Sequence, residues 1–395
     1  MIPNNQISLL QNGEAYFPAL EAALDRAMHD IYLETYIFED DSTGRRIAEA
    51  LKRAALRGVR THLLIDGYGS IRLPKSVFDD LEAVGVLAMK FRPKTSPWTL
   101  RRRRLRRLHR KIVVVDRTIA FVGGINISDD MDHHGQPSMR FDFAVSVQGP
   151  LVKAIHNSAS QVWLRVTWMR RLPRRGRKND RYTPSDDPTG LMQASFLIRN
   201  NIRHRRDIEA AYLRAIEQAK FEIILANAYF LPGLNFRHSL VDAAGRGVRV
   251  VLLLQGKRDH PLFHYATHAL YGSFLAAGIE IYEYYQNLLH AKVAVIDGHW
   301  ATVGSSNLDP FSLLLSLEAN VVVDDEGFAK ELRFSLEQAM ETGAQRIGEK
   351  TWRTQSIGQR LASWLSYSVV RFVIGIAGYA PGKRPGRGVS MDHST

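Results

Sequence analysis

The chain has 395 residues, 45% of them hydrophobic, which is enough for a large core and for two domains or a pair of fused halves. It contains no cysteine, so disulfides and Cys-ligated metals are excluded. A formal charge of +13 points to an anionic partner: nucleic acid, an acidic membrane surface or a phosphorylated substrate.

The N-terminal "MIPNNQISLLQNGEAYF" has no basic stretch leading into an apolar core, so no signal peptide is expected. "IYLETYIF" (31–38) is short, apolar and rich in β-branched and aromatic residues, the pattern of a buried strand. "TGRRIAEALKRAALRGV" (43–59) spaces its apolar residues by three and four and then meets a glycine, a helix and its stop. "RTHLLID" (60–66) is a strand again. Strand, helix and strand in succession predict parallel pairing with helices on both faces.

"RRRRLRRLHR" (101–110) carries seven arginines. It reads as a solvated loop, a phospholipid head-group clamp or an RNA contact, with membrane docking placed first and nucleic acid last. Trp98, Leu100, Leu105 and Leu108 are candidates to enter a membrane interface beside it. "HRKIVVVD" (109–116) follows, then "RTIAFVGGIN". In a strand, residues two apart share a face, so His109 and Lys111 project together beside an apolar run. An imidazole next to an ammonium suits attack on an anionic phosphorus centre, with histidine as nucleophile or proton donor and lysine facing the phosphoryl oxygens.

Asp116 falls at an odd offset from His109 and at a predicted turn, so it is read as holding the loop. Asn126, from the glycine-rich turn, is a candidate donor to phosphoryl oxygens. "SDDMDHHGQ" (128–136) places His133 and His134 near Asp129, Asp130 and Asp132. This cluster has no duplicate, the chemistry requires no ion, and neither a metal nor a cofactor is expected. Asp142 in "RFDFAVSVQGP" is a candidate to bond the far ring nitrogen of a catalytic histidine.

"RRLPRRGRKNDRYTPSDDPTG" (170–190) reads as a linker, and beyond it the pattern begins again. "FEIILANAYF" and "RVVLLLQ" answer the first two strands, and "AAGRGVR" from Ala243 repeats "AALRGVR" from Ala54. "HAKVAVID" (290–297) repeats the first motif, placing His290, Lys292, Asp297 and Asn307 each 181 residues after its counterpart. Asp-Gly at 297–298 is a hairpin signal. "GHWATVGSSN" adds Ser305, a further candidate phosphate donor, where the first copy has a glycine. Glu318 in "SLEANVVVDD" occupies the place of Asp142. Two copies brought face to face supply a nucleophile and an acid in line across one phosphorus atom.

"LASWLSYSVVRFVIGIAGYA" (361–380) holds three serines, two glycines and Arg371. It is expected to be an interfacial amphipathic helix, with Leu361, Trp364, Leu365, Phe372 and Ile376 toward the membrane, rather than a spanning one; a helix packed on the core is the alternative. The tail from 381 is expected to be disordered.

The paired H-x-K-x4-D motifs resemble those of the phospholipase D superfamily. "LLQNGEAYFPAL", "LETYIFEDD", "RGVRTHLLIDGYGS", "ANAYFLPG" and "HWATVGSSNLDP" extend the resemblance, over roughly residues 8–340, to the bacterial cardiolipin synthases, most closely those of the B type. The resemblance implies an α/β fold of two pseudo-symmetric α/β/α sandwich halves with the active site at their seam. The halves are expected at 1–169 and 191–345, joined by 170–190 and followed by the helix and tail of 346–395.

The same resemblance makes His109, Lys111, Asp116, His290, Lys292 and Asp297 the catalytic motif set. It implies a metal-free, two-step transfer through a phosphohistidine, with His109 as nucleophile and His290 as acid and then base. Phosphatidylglycerol is the implied donor and acceptor, cardiolipin and glycerol the products, and the cytoplasmic face of the cell membrane the implied location. Hydrolysis of phospholipids and, behind it, a nuclease activity are the alternatives.

Overall fold

In the computed structural model, the described residues are 1–93, 106–130, 139–169, 187–200, 204–309, 316–349, 352 and 357–376. The chain begins β1 (Ile2–Gln11), α1 (Asn12–Arg26), β2 (Asp30–Thr35), α2 (Ser42–Leu56), β3 (Arg60–Asp66), α3 (Lys75–Ala83) and β4 (Leu87–Phe91). It continues β5 (Arg107–Leu108), β6 (Lys111–Val115), β7 (Ile119–Gly123), β8 (Arg140–Phe141), β9 (Phe143–Gln148) and α4 (Leu151–Met169).

The succession then recurs. β10 (Met192–Arg199), α5 (Asp207–Gln218), β11 (Glu222–Asn227), α6 (Leu234–Gly245), β12 (Arg249–Gln255), α7 (Pro261–Ala276) and β13 (Glu280–Tyr284) come first. β14 (Leu288–Leu289), β15 (Lys292–Ile296), β16 (Trp300–Gly304), β17 (Ser316–Asp324) and α8 (Glu326–Gly343) follow, and β18 (Ala344–Ile347) and α9 (Ile357–Ile376) close the chain.

Hydrogen bonding orders the first set of strands β4-β3-β2-β6-β7-β9-β1 and the second β13-β12-β11-β15-β16-β17-β10, with β1 and β10 meeting antiparallel. β18 adds to the edge beside β13. Within each set only the strands joined through helices, β2-β3-β4 and β11-β12-β13, are parallel. The motif strands β6 and β15 run antiparallel to both neighbours, so the expectation of parallel pairing holds for two of the six strand pairings in each set. The reason is local. A tight turn can only reverse the chain, and β6–β7 and β15–β16 are hairpins.

Asp297 (φ 51°) and Gly298 (φ 69°) form the turn that the Asp-Gly signal announces. Asp116 (φ 49°) and Arg117 (φ 53°) adopt the same left-handed pair without a glycine. Arg117 is held there by a buried ion pair with Asp30, Nη2 to Oδ2 at 2.9 Å.

β6 and β15 are buried along their whole length. Ile112 and Val114 meet Val293 and Val295 in a core shared by both sets, which also takes Leu151 and Ile155 of α4 and Phe328, Leu332 and Leu336 of α8. Val113 and Val115 face the other way, under α1, α2 and α3; Ala294 and Ile296 lie under α5, α6 and α7. Helices therefore cover the outer faces, and the apolar inner faces close on each other.

Candidate active site

The residue pairs just before each histidine cross over. β5 pairs in parallel with the start of β17, Arg107 beside Ser316 and Leu108 beside Leu317, and His109 N–H donates to Leu317 O at 3.1 Å. β14 pairs with β8 in the reciprocal way, and His290 N–H donates to Phe141 O at 2.8 Å. Each crossing strand is pinned by the end of a central strand: Asp66 Oδ2 accepts from Leu108 N at 2.8 Å and Gln255 Oε1 from Leu289 N at 3.1 Å. These two polar residues end the matching segments "RTHLLID" and "RVVLLLQ", a signal that sequence reasoning passed over.

The crossing delivers each histidine to the other set's carboxylate. His109 Nδ1 lies 3.0 Å from Glu318 Oε1, and His290 Nδ1 lies 2.5 Å from Asp142 Oδ2. Bonding at Nδ1 leaves Nε2 of each ring as the atom free to react. Asp142 is itself fixed, with Oδ1 accepting from Phe143 N at 2.8 Å and its backbone N–H and C=O both bound by Asn12.

Ser305 does not stand ready for a phosphate. Its hydroxyl donates to Glu318 Oε2 at 2.5 Å and is buried. The glycine at the corresponding place, Gly124, has a steric reason: a Cβ there would lie 2.7 Å from Asp142 Cγ and nearer still to both carboxylate oxygens. The Gly/Ser difference between the motifs thus matches the Asp/Glu difference between the acids.

Lys111 and Lys292 are buried, and each ammonium bonds the backbone carbonyl of the histidine two residues earlier, Lys111 Nζ to His109 O at 2.7 Å and Lys292 Nζ to His290 O. Burial, and then the nearby Lys292 ammonium, pull Lys111 down to about 7. Burial pulls Lys292 down to about 8 against the opposing pull of Asp142, whose Oδ2 is 3.7 Å away. Burial likewise pushes Asp142 up to about 6 and both imidazoles below their ordinary value. The centre is a buried cluster of two lysines, two carboxylates and two imidazoles, a concentration of perturbed titratable groups of the kind found where proton and group transfer occur.

Tyr36, which sequence reasoning did not single out, covers one side of this cluster. Its ring centroid is 4.8 Å from that of His109, and Lys111 Nζ sits over it at 5.5 Å.

The remaining candidates lie as follows. Asp116 and Asp297 are at the turn ends of β6 and β15, away from the histidines, although they belong to the catalytic motif. Asp116 accepts the backbone N–H groups of Met28, His29 and Asp30, and Asp297 those of Lys220, Phe221 and Glu222, at 2.7–3.0 Å. A carboxylate bonded by three amides is occupied, and membership of the motif does not make these two groups part of the reacting centre.

Asn126 Oδ1 accepts from Ile37 N at 3.3 Å, which leaves its NH2 group as what it can offer a phosphate. Asn307 is buried with its Oδ1 unpaired. Of the arginine run, Arg110 is not a surface cation. It is buried in an ion pair with Glu34, Nη2 to Oε1 at 2.9 Å, and bonds Ser158. Leu108 is buried in the core rather than available to a membrane, because β5 is an interior crossing strand. Trp98, Leu100 and Leu105 lie outside the described residues, as do Asp132, His133 and His134. Asp129 accepts from Thr43 N at 2.8 Å and from the Ser42 hydroxyl at the start of α2, and Asp130 pairs with Arg140.

Comparison with known proteins bears on the family. The family model described as "Cardiolipin synthase, PLD-like domain" matches residues 20–163 and 212–340. Cardiolipin synthase B of Escherichia coli K12 is 39% identical over 387 residues, covering 96% of this chain and 91% of that protein. Cardiolipin synthase A of Pseudomonas putida KT2440 is 30% identical over 369 residues, 92% of this chain and 75% of that one. Among solved structures, phosphatidylserine synthase of Haemophilus influenzae superposes with a TM-score of 0.71 at 14% identity, covering 94% of each chain, a likeness of fold. Two H-x-K strands exchanging histidines across a duplicated α/β sheet, with this breadth of identity, place the chain in the PLD-like cardiolipin synthase family.

Proposed function

We propose that this protein is a phosphatidyltransferase that makes cardiolipin from two molecules of phosphatidylglycerol. The observation that carries the reading is the reciprocal pairing, His109 with Glu318 and His290 with Asp142, around two buried lysines. His109 Nε2 attacks the phosphorus of the donor. The bond from phosphorus to the glycerol oxygen breaks, and that oxygen takes a proton from His290. A hydroxyl of the second phosphatidylglycerol then gives its proton back to His290 and attacks the same phosphorus, and the phosphorus–nitrogen bond breaks to restore His109.

Lys111 and Lys292 face the phosphoryl oxygens, with the NH2 group of Asn126 and with Asn307 beside them. Ser305, Glu318 and Asp142 hold the imidazoles. Proton exchange with the substrate takes place at His290, whose far nitrogen is held by Asp142, itself 3.7 Å from the Lys292 ammonium. The division of the chain at 170–190 is, on this reading, the join of a duplicated unit.

The test is to incubate the purified protein with labelled phosphatidylglycerol, with and without EDTA. Cardiolipin and glycerol in equal amounts, undiminished by EDTA, are the expected result. Phosphatidic acid alone would make the protein a hydrolase, and cleavage of single-stranded DNA with no lipid product a nuclease.

A substrate of this kind places the protein at a membrane. Among the described residues no helix is long and apolar enough to cross one. α9 packs on α7, burying Ser363 and Val370, and turns Leu361, Trp364, Leu365, Val369 and Phe372 outward, each about half exposed or more. The helix carries Arg371 and no acidic residue. An apolar stripe beside cationic charge suits peripheral docking on an anionic leaflet, on this reading the cytoplasmic one.

A further inference from the structure

The two motif strands are pseudo-symmetric, but their surroundings are not. Glu34 pairs with Ile112 and Ala226 with Val293 in the same register, so the residue equivalent to Tyr36 is Ala228. On the first side the tyrosine ring lies against His109 and Lys111. On the second side the alanine borders a narrow cleft, lined further by Tyr229, Gln255 and Lys257 and by His264, Thr267 and Tyr271 of α7.

Two residues of the cleft hold the backbone on either side of His290. Ala228 N–H donates to Ala291 O at 3.0 Å, and Gln255 Oε1 holds Leu289 N at 3.1 Å. Gln255 is itself buried, 8% exposed, and its Nε2 has no partner. An unmet amide donor in a buried site is open to a water or to a ligand atom that replaces one. His264 is kept neutral at physiological pH, burial drawing it down to about 4, so it can both donate and accept. Asp259 of the cleft wall is already engaged by the Tyr229 hydroxyl at 2.7 Å, and the wall residues His268 and Tyr271 are engaged with Glu283, which also takes Tyr285. Neutral donors and acceptors between ring faces, with Lys257 opposing a cationic head group, are the chemistry that holds a hydroxyl of a polyol.

We propose that this cleft seats the hydroxyl adjacent to the reacting one on the glycerol head group, in both the departing glycerol and the accepting phosphatidylglycerol. The two occupy one place, because the second step reverses the geometry of the first. The cleft thereby selects vicinal diols as acceptors over water and simple alcohols. The inference rests on the transferase reading with His290 as acid and base.

The experiment measures how the enzyme, given unlabelled phosphatidylglycerol, partitions the phosphatidyl group among isotopically labelled glycerol, 1,3-propanediol and water. One hydrogen bond satisfied or left open amounts to roughly tenfold, so glycerol should be preferred to 1,3-propanediol by about that factor. Ala228→Tyr, which installs the first side's residue, and Gln255→Glu, which keeps the acceptor for Leu289 but removes the donor, should each abolish the preference. The partition ratio is independent of how much enzyme folds. Equal use of the two diols by the unaltered protein, or an unchanged preference in either variant, overturns the inference. Phosphatidic acid as the only product, with no alcohol accepted, overturns the transferase reading instead.

Discussion

Replacing Gly124 by serine tests the geometry of the site more sharply than removing a catalytic group does. The second motif carries serine at the equivalent position, so by motif alone the change is conservative. In the structure it is not. The added Cβ would stand 2.7 Å from Asp142 Cγ, where carbon atoms pack at about 3.5–4.0 Å, a shortfall of about 1 Å. Asp142 is fully buried and held by Phe143 N, so relieving the overlap means displacing the carboxylate that His290 depends on. Their 2.5 Å contact would open to about 3.5 Å, beyond a hydrogen bond.

Misplacement of that size costs about 10²-fold, and loss of a hydrogen bond to a charged group adds about 1.5–3 kcal/mol, a further factor of ten or more. The kcat for cardiolipin formation should therefore fall by roughly 10³-fold. Overpacking should lower stability by about 1–3 kcal/mol, which leaves a folded protein to assay by thermal denaturation. Ser305→Gly, which only removes the hydroxyl that donates to Glu318, should cost about tenfold or less. Gly124→Ser protein that folds and turns over within a few-fold of the unaltered enzyme would refute the argument that Asp142 orients His290.

The pH dependence follows from the buried lysines. An anionic phosphodiester is bound by their protonated forms, so with Lys111 near 7 and Lys292 near 8, kcat/KM should decline as pH rises through 7–8 rather than near 10. The kcat limb should lie higher, because bound phosphate keeps both lysines charged; coincident limbs at ordinary lysine values would contradict this. Below about 6 protonation of Asp142 should remove the partner of His290 and lower the rate. Asp297→Ala frees three backbone amides and should lower stability by about 2–4 kcal/mol in a denaturant titration. Its activity per folded molecule should stay within a few-fold, whereas His290→Ala should abolish turnover. Glu34→Ala strands a buried Arg110 and should cost about 3–5 kcal/mol. Glu34→Ala with Arg110→Ala, which copies the Ala226–Ala291 pairing of the second set, should recover a measurable part of that loss.

The strands, the helices and the repeat were legible in the chain because they depend on local periodicity and on turn chemistry. β2, β3, α2 and β12 fall within a few residues of where apolar spacing places them, and Asp297-Gly298 turns as its dipeptide requires. Asp142 and Glu318 could be picked out as the acids, since they occupy similar places about the start of the equivalent strand in each half. Which histidine each serves could not be read from order along the chain. It depends on two-residue strands crossing the seam, contacts between residues 148 and 209 positions apart that no local signal encodes. For the same reason Ser305 read as a phosphate ligand and Arg110 and Leu108 as surface, since burial is a property of what folds over a residue. The sequence by itself determined that two histidine–lysine strands exist and are alike. Tertiary structure alone decided that each is completed by the other, because a histidine–carboxylate contact across a seam forms only once both apolar faces have closed.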